Sequence, residues 1–98
     1  MADNYRLTTD DEKCIRSELL EADPEGDIFL FGSRSDVSRR GGDVDIFFET
    51  RKKLSLKQKL LLEYRIRSKC DMAVDLLVKQ VDEPDEIIHQ IARKGIQL

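Results

Sequence analysis

Between Asp27 and Glu49 the chain reads DIFLFGSRSDVSRRGGDVDIFFE, and this stretch decides the fold. Ile28–Phe31 is a short apolar run bounded by Gly32, a residue that permits a tight turn and close approach of backbone to a ligand; a strand is expected there. Ser33 can then cap one short turn of helix. Val44–Phe48 is a second strand. Side chains alternate across a sheet, so Asp43, Asp45, Phe47 and Glu49 share one face while Val44, Ile46 and Phe48 share the other. Two carboxylates that close repel unless a cation sits between them, which makes Asp43 and Asp45 candidate metal ligands.

Outward from this stretch, Thr8–Ala22 reads as a first helix, with Thr9 and Glu12 spaced as a capping box and Ile15, Leu19 and Ala22 on one stripe. Pro24 and Gly26 end it. Ser55 is a cap for a helix reaching about Lys69, with Leu56, Leu60, Leu61 and Tyr64 as its core stripe and Leu62 and Ile66 off that stripe. Met72–Val78 is a third strand, in which Asp75 interrupts the apolar run AVDLLV. An unpaired carboxylate in a buried strand costs several kcal/mol, so Asp75 is either paired or functional. Pro84 and Asp85 open a last helix with Ile87, Ile88, Ile91 and Ala92 on one side, Gly95 is its left-handed stop, and Ile96–Leu98 can add a short edge strand. The expected architecture is α+β: a small mixed sheet with helices packed mainly on one face, in the order helix, strand, short helix, strand, helix, strand, helix.

The 98 residues, 40% of them hydrophobic, form a single domain spanning 1–98, with room for one modest core. The net charge is only −3, but residues 1–27 carry nine acids against Arg6, Lys13 and Arg16, while residues 51–69 carry eight basic residues against Glu63 alone. That is a basic face rather than a basic protein. With few aromatics beside it, the face reads as solvated or partner-facing rather than as a nucleic-acid footprint. Cys14 and Cys70 form no C-x-x-C pair and read as two reduced thiols. No apolar run approaches the roughly 20 residues a membrane span needs, and MADNYR lacks the make-up of a signal peptide, so the expected location is cytoplasmic. His89, a lone histidine on a charged helix face, reads as a surface residue. Tyr5 and Tyr64 carry no features of acceptors.

Asp43, Asp45 and Asp75 are oxygen donors of the kind Mg²⁺ prefers, and two such ions about 4 Å apart can serve an in-line displacement at phosphorus. The Gly32-Ser33 turn supplies backbone N–H groups and a hydroxyl for the outer phosphates of a nucleotide. Arg34, Arg39 and Arg40 can neutralise a triphosphate.

The segments FGSR…GGDVDIF and VDLLV, together with the closing IIHQIARKGIQL, resemble the nucleotidyltransferase superfamily that shares the DNA polymerase beta palm. Within it they resemble the minimal nucleotidyltransferases that act as antitoxins to HEPN-domain toxins. The likeness runs from about Ile28 to Leu98. It implies metal held by Asp43, Asp45 and Asp75, triphosphate held by Gly32 and Ser33, and transfer of a nucleoside monophosphate to a hydroxyl, with AMP from ATP as the expected donor. Two departures stand out: nine residues separate Ser33 from Asp43 where such antitoxins commonly have ten, and Arg34-Ser35-Asp36-Val37 stands where Arg-Ala-Arg-Gly is usual. Because 98 residues leave no room for an acceptor domain, the acceptor is expected on another chain. The resemblance makes that chain a HEPN protein and the hydroxyl one of its tyrosines. The alternative is a non-catalytic module that neutralises a partner by masking it. HEPN proteins carry an Arg-to-His-x-Tyr signature, and here His89 is followed two residues on by Ile91, so this chain is not the toxin half.

Overall fold

The computed structural model describes residues 7–31 and 44–98. Helix α1 (Thr9–Ala22) is opened by Thr8, whose Oγ1 accepts from the Asp11 N–H at 3.0 Å while the Thr8 N–H donates to Asp11 Oδ2. The capping box therefore lies one residue earlier than Thr9 and Glu12. Strands β1 (Asp27–Phe31) and β2 (Val44–Thr50) follow, then α2 (Leu56–Cys70), β3 (Val74–Gln80), α3 (Ile87–Arg93) and the two-residue β4 (Ile96–Gln97). Ser55 caps α2 as expected, in a reciprocal pair of bonds with Gln58. Strand β3 starts and ends two residues later than the sequence suggested.

The sheet has the order β3-β2-β1-β4. β2 is antiparallel to β1 and parallel to β3, and β4 pairs antiparallel with β1. The parallel pair needs a crossover, and α2 provides it. Helices α1 and α2 cover one face, where Ile15, Leu19, Leu62 and Ile66 pack on Ile28, Ile46, Phe48 and Leu76. Helix α3 crosses the other face, where Ala92 meets Phe29 and Phe47. At the lower end of the sheet Asp23, buried at the end of α1, accepts from the Thr50 hydroxyl at 2.6 Å and from the Arg51 and Glu25 N–H groups, which locks the first helix to the end of β2.

Four expectations are overturned. Leu56, Leu60, Leu61 and Tyr64 are 48–69% exposed, whereas Leu62 and Ile66 are buried, so α2 turns its other apolar stripe inward. Two stripes at helical period are indistinguishable in sequence. The phase is set by tertiary ties: Glu63 reaches the Leu76 N–H of β3, and Cys70 joins Cys14. Similarly, of the last helix's apolar residues only Ala92 is buried, and Ile87, Ile88 and Ile91 face outward. Cys14 and Cys70 are not free thiols but a disulfide: packing α1 against α2 brings their Cα atoms to 5.8 Å, within bridging range, across 56 residues of sequence. Gly95 is not left-handed. Glycine is needed there because a Cβ would overlap the Leu30 carbonyl where the chain turns into β4.

Candidate active site

The open face of the sheet is a grid of three rows across β1, β2 and β3. The register aligns Phe31 with Asp45 and Asp75, Phe29 with Phe47 and Leu77, and Asp27 with Glu49 and Lys79. Alternation sends all nine side chains to the same side. One row therefore carries two carboxylates, the next is apolar, and the last is charged.

In the first row Asp45 and Asp75 are register partners on neighbouring strands, whose backbones run about 4.8 Å apart. Asp75 is exposed, not buried as its apolar neighbours suggested, because Val74 and Leu76 point into the helix-covered core while Asp75 points to the open face. Its carboxylate is thus available to a ligand without a desolvation cost. Two carboxylates side by side suit a hard divalent cation that keeps part of its water shell. Among the described residues no third His, Cys, Asp or Glu joins them. Asp43, two positions before Asp45, lies outside the described residues, as do Gly32, Ser33, Arg34, Arg39 and Arg40. Of the expected site, the structure brings together Asp45 and Asp75 and speaks to none of the others.

The apolar row is covered by α3. Phe29 and Phe47 stack with centroids 5.8 Å apart, and His89 stacks on the other ring contact of Phe47 at 5.6 Å. His89 is therefore half-buried rather than a surface residue, and its Nδ1 accepts from the Glu86 N–H at 3.0 Å, closing the first turn of α3.

The charged row is an ion cluster that the sequence reading did not find. Arg93 of α3 makes bidentate contacts with Glu49 of β2, at 2.9 and 3.2 Å, and with Asp85, at 2.8 and 3.0 Å. Lys79, only 3% exposed, lies 3.5 Å from Glu49 and 3.3 Å from Asp85 and also donates to the Gln80 and Val81 carbonyls. The Arg93 hydrogen bonds hold the Asp85 carboxyl well below the usual carboxylate range, and those to Asp85 and Glu49 raise Arg93 further above its already high value. The Arg93 guanidinium also sits 5.7 Å from the Phe47 ring centroid. Together these contacts clamp α3 across the face that carries Asp45. A signal was present: Lys79 falls on the same strand face as Asp75, and a lysine inside a strand that packs on both sides needs a carboxylate such as Glu49 opposite it.

A four-stranded mixed sheet crossed by α2, with a carboxylate from each of two adjacent strands on its open face, defines a small α+β domain. Residues 14–98 match the family described as Polymerase beta, Nucleotidyltransferase, and the chain belongs to that family. Its general activity is accordingly nucleotidyl transfer, and domains of this family use a nucleoside triphosphate and divalent metal. A search of curated proteins finds no match. Among the described residues no helix is long and apolar enough to cross a membrane.

Proposed function

We propose that this domain transfers AMP from ATP to a hydroxyl of a partner protein, a tyrosine of a HEPN-domain ribonuclease, and so acts as an antitoxin in the cytoplasm. The observation that carries this reading is the pairing of Asp45 with Asp75 on an open sheet face. In the proposed reaction the acceptor oxygen forms a bond to the α-phosphorus, the bond to the bridging oxygen breaks, and pyrophosphate leaves with that electron pair. Asp43, Asp45 and Asp75 would hold Mg²⁺, two ions in the full site, which when bound neutralises the developing charge on the phosphates. Asp75, the more open of the two described carboxylates, takes the proton of the attacking hydroxyl at a carboxylate oxygen. Gly32, Ser33, Arg34, Arg39 and Arg40 cradle and neutralise the triphosphate. Leu77 and Phe47 give the site a dry floor next to the carboxylates, and the ion cluster keeps α3 from lifting off that floor.

Two features support an acceptor supplied by another chain. The site lies on an open face, and α3, which flanks it, turns Ile87 and Ile91 outward at 75% and 54% exposure. The same exposed isoleucines also suit the alternative, a module that neutralises its partner by masking it. Transfer of labelled AMP from ATP onto the co-expressed partner separates the two. Label on the partner with wild type, and none with Asp45→Asn, is the expected result. An unlabelled partner, together with full protection of cells by Asp45→Asn, would establish the masking module instead. Mg²⁺ alone should raise the melting temperature only slightly, and Mg²⁺ with a non-hydrolysable ATP analogue clearly more, because the ion relies on substrate phosphates to complete its shell.

A further inference from the structure

On the side of the sheet away from the carboxylates, α2 carries a stripe of large apolar side chains that the core does not use. Leu56, Leu60 and Tyr64 follow one another at four-residue spacing, so they form one ridge along the helix, 69%, 51% and 65% exposed. Cations border it. Of the basic residues between Arg51 and Lys69, three are matched within the chain: Arg51 by Glu25, Arg65 by Glu21 and Lys69 by Glu18. Lys53, Lys57, Lys59 and Arg67 have no ion-pair partner among the described residues. The ridge is thus an apolar strip beside positive charge that forms no ion pair among the described residues.

Directly beside it lies a surface of the opposite charge. Lys53, Leu56 and Lys59 share a groove of about 170 Å³ with Glu83, which belongs to the segment joining β3 to α3. That segment begins VDE, and its Val81 is 44% exposed. Asp82 and Glu83 are exposed and have no ion-pair partner among the described residues. A basic apolar half therefore adjoins an acidic apolar half on one surface. Such a patch is self-complementary under a two-fold rotation, which lays each half on the opposite half of the other copy. Contiguous exposed apolar side chains are themselves a mark of an interaction site.

We propose that this surface pairs two copies of the chain, with the Leu56–Leu60–Tyr64 ridge of one copy packed against Val81 and the Asp82–Glu83 turn of the other, twice over. Two observations narrow the geometry. β3 is an edge strand, yet its Leu76 and Gln80 N–H groups already donate to Glu63 at 2.9 Å and Glu83 at 3.0 Å, so the sheet does not continue from copy to copy and the contact is made by side chains. The acids of α1 are not the mate of the ridge either, because the apolar residues of that helix, Ile15 and Leu19, are buried. The pairing does not depend on which hydroxyl accepts the nucleotide.

Sedimentation velocity of the full chain from low micromolar to about 0.5 mM tests it. A reversible dimer is expected, weakened as salt rises from about 50 to about 500 mM because exposed charges contribute. Leu60→Glu should weaken it about tenfold or more, as loss of a central apolar contact does. Lys57→Glu and Asp82→Lys, both at exposed positions without an ion-pair partner among the described residues, should each weaken it alone. Mixed in equal amounts they should restore it, since a two-fold pair of these two chains places unlike charges in both contacts. A wild-type chain that stays monomeric at the highest concentration and lowest salt would overturn the proposal and leave the ridge to a different protein. A dimer indifferent to Leu60→Glu, or a mixture no tighter than either variant alone, would overturn it as well.

Discussion

Asp45 and Asp75 stand side by side in the parallel β2–β3 ladder, a relationship that comes from the register and that neither residue carries alone. Because Asp75 is exposed, Asp75→Asn is expected to cost no more than about 0.5 kcal/mol of stability, as ordinary surface changes do. Nucleotidyl transfer should fall on the order of a hundredfold or more, the scale seen when a group that stabilises transition-state charge is removed. Urea titration beside an assay of pyrophosphate release, with the acceptor present, measures both. Wild-type turnover in this variant would remove Asp75 from the site.

The ion cluster predicts an asymmetry between its members. Glu49→Gln leaves Lys79 buried with a neutral amide in place of one of its two carboxylates and takes a bidentate partner from Arg93, so a loss of about 2 kcal/mol is expected, below the full cost of breaking a deeply buried pair. Lys79→Met removes the buried charge together with its desolvation penalty and leaves Arg93 to serve both Glu49 and Asp85. It should cost less than Glu49→Gln. Denaturant midpoints decide the order, and the reverse order would mean that Lys79, not Arg93, is the main tie of α3.

Acid should unfold the protein through Asp23 and Asp85. The Thr50 hydroxyl and the backbone N–H groups of Arg51 and Glu25, helped by the charge of Lys52, outweigh burial and lower the Asp23 pKa, while Arg93 does the same for Asp85. Both carboxylates titrate lower in the folded chain than in the unfolded one, so their stabilisation is complete above the unfolded aspartate value near 4 and is lost as pH falls through the folded values. Melting temperature should be level from about pH 8 to about pH 5 as far as these groups decide it, and drop below about pH 4. Asp23→Asn should be less stable at neutral pH by about 1–3 kcal/mol, the range for hydrogen bonds to a charged group, with a shallower acid limb.

The Cys14–Cys70 bridge closes 56 residues of chain, for which loop-closure entropy predicts about 4 kcal/mol of stabilisation. Cys14→Ser with Cys70→Ser, or wild type under a strong reductant, should lower the urea midpoint accordingly. The transfer rate should hold well below the unfolding transition, because the bridge joins the two helices on the sheet face opposite Asp45 and Asp75. Equal midpoints with and without reductant would show that the bridge does not form in solution.

Sequence alone determined the order of the helices and strands among the described residues and the faces of β2, while the short helix expected after Ser33 lies outside the described residues. The reason is local: period-two alternation fixes which side Asp45, Phe47 and Glu49 share once a strand forms, and Ser55 with Gln58 fixes where α2 starts. It also determined the family, because the carboxylate pattern is carried by short contiguous segments, DVDIF and VDLLV, that need no folding to be read. Tertiary structure decided the rest. Whether Leu60 or Ile66 faces inward depends on which neighbour fixes the rotation of α2, and a helix with two apolar stripes does not carry that choice in its own residues. Whether Cys14 meets Cys70, and whether Lys79 meets Glu49 and Asp85, depends on elements distant in sequence arriving at the same place. Asp45 and Asp75 belong to both accounts: their residue types are written in the chain, but their standing side by side is a property of the β2–β3 register.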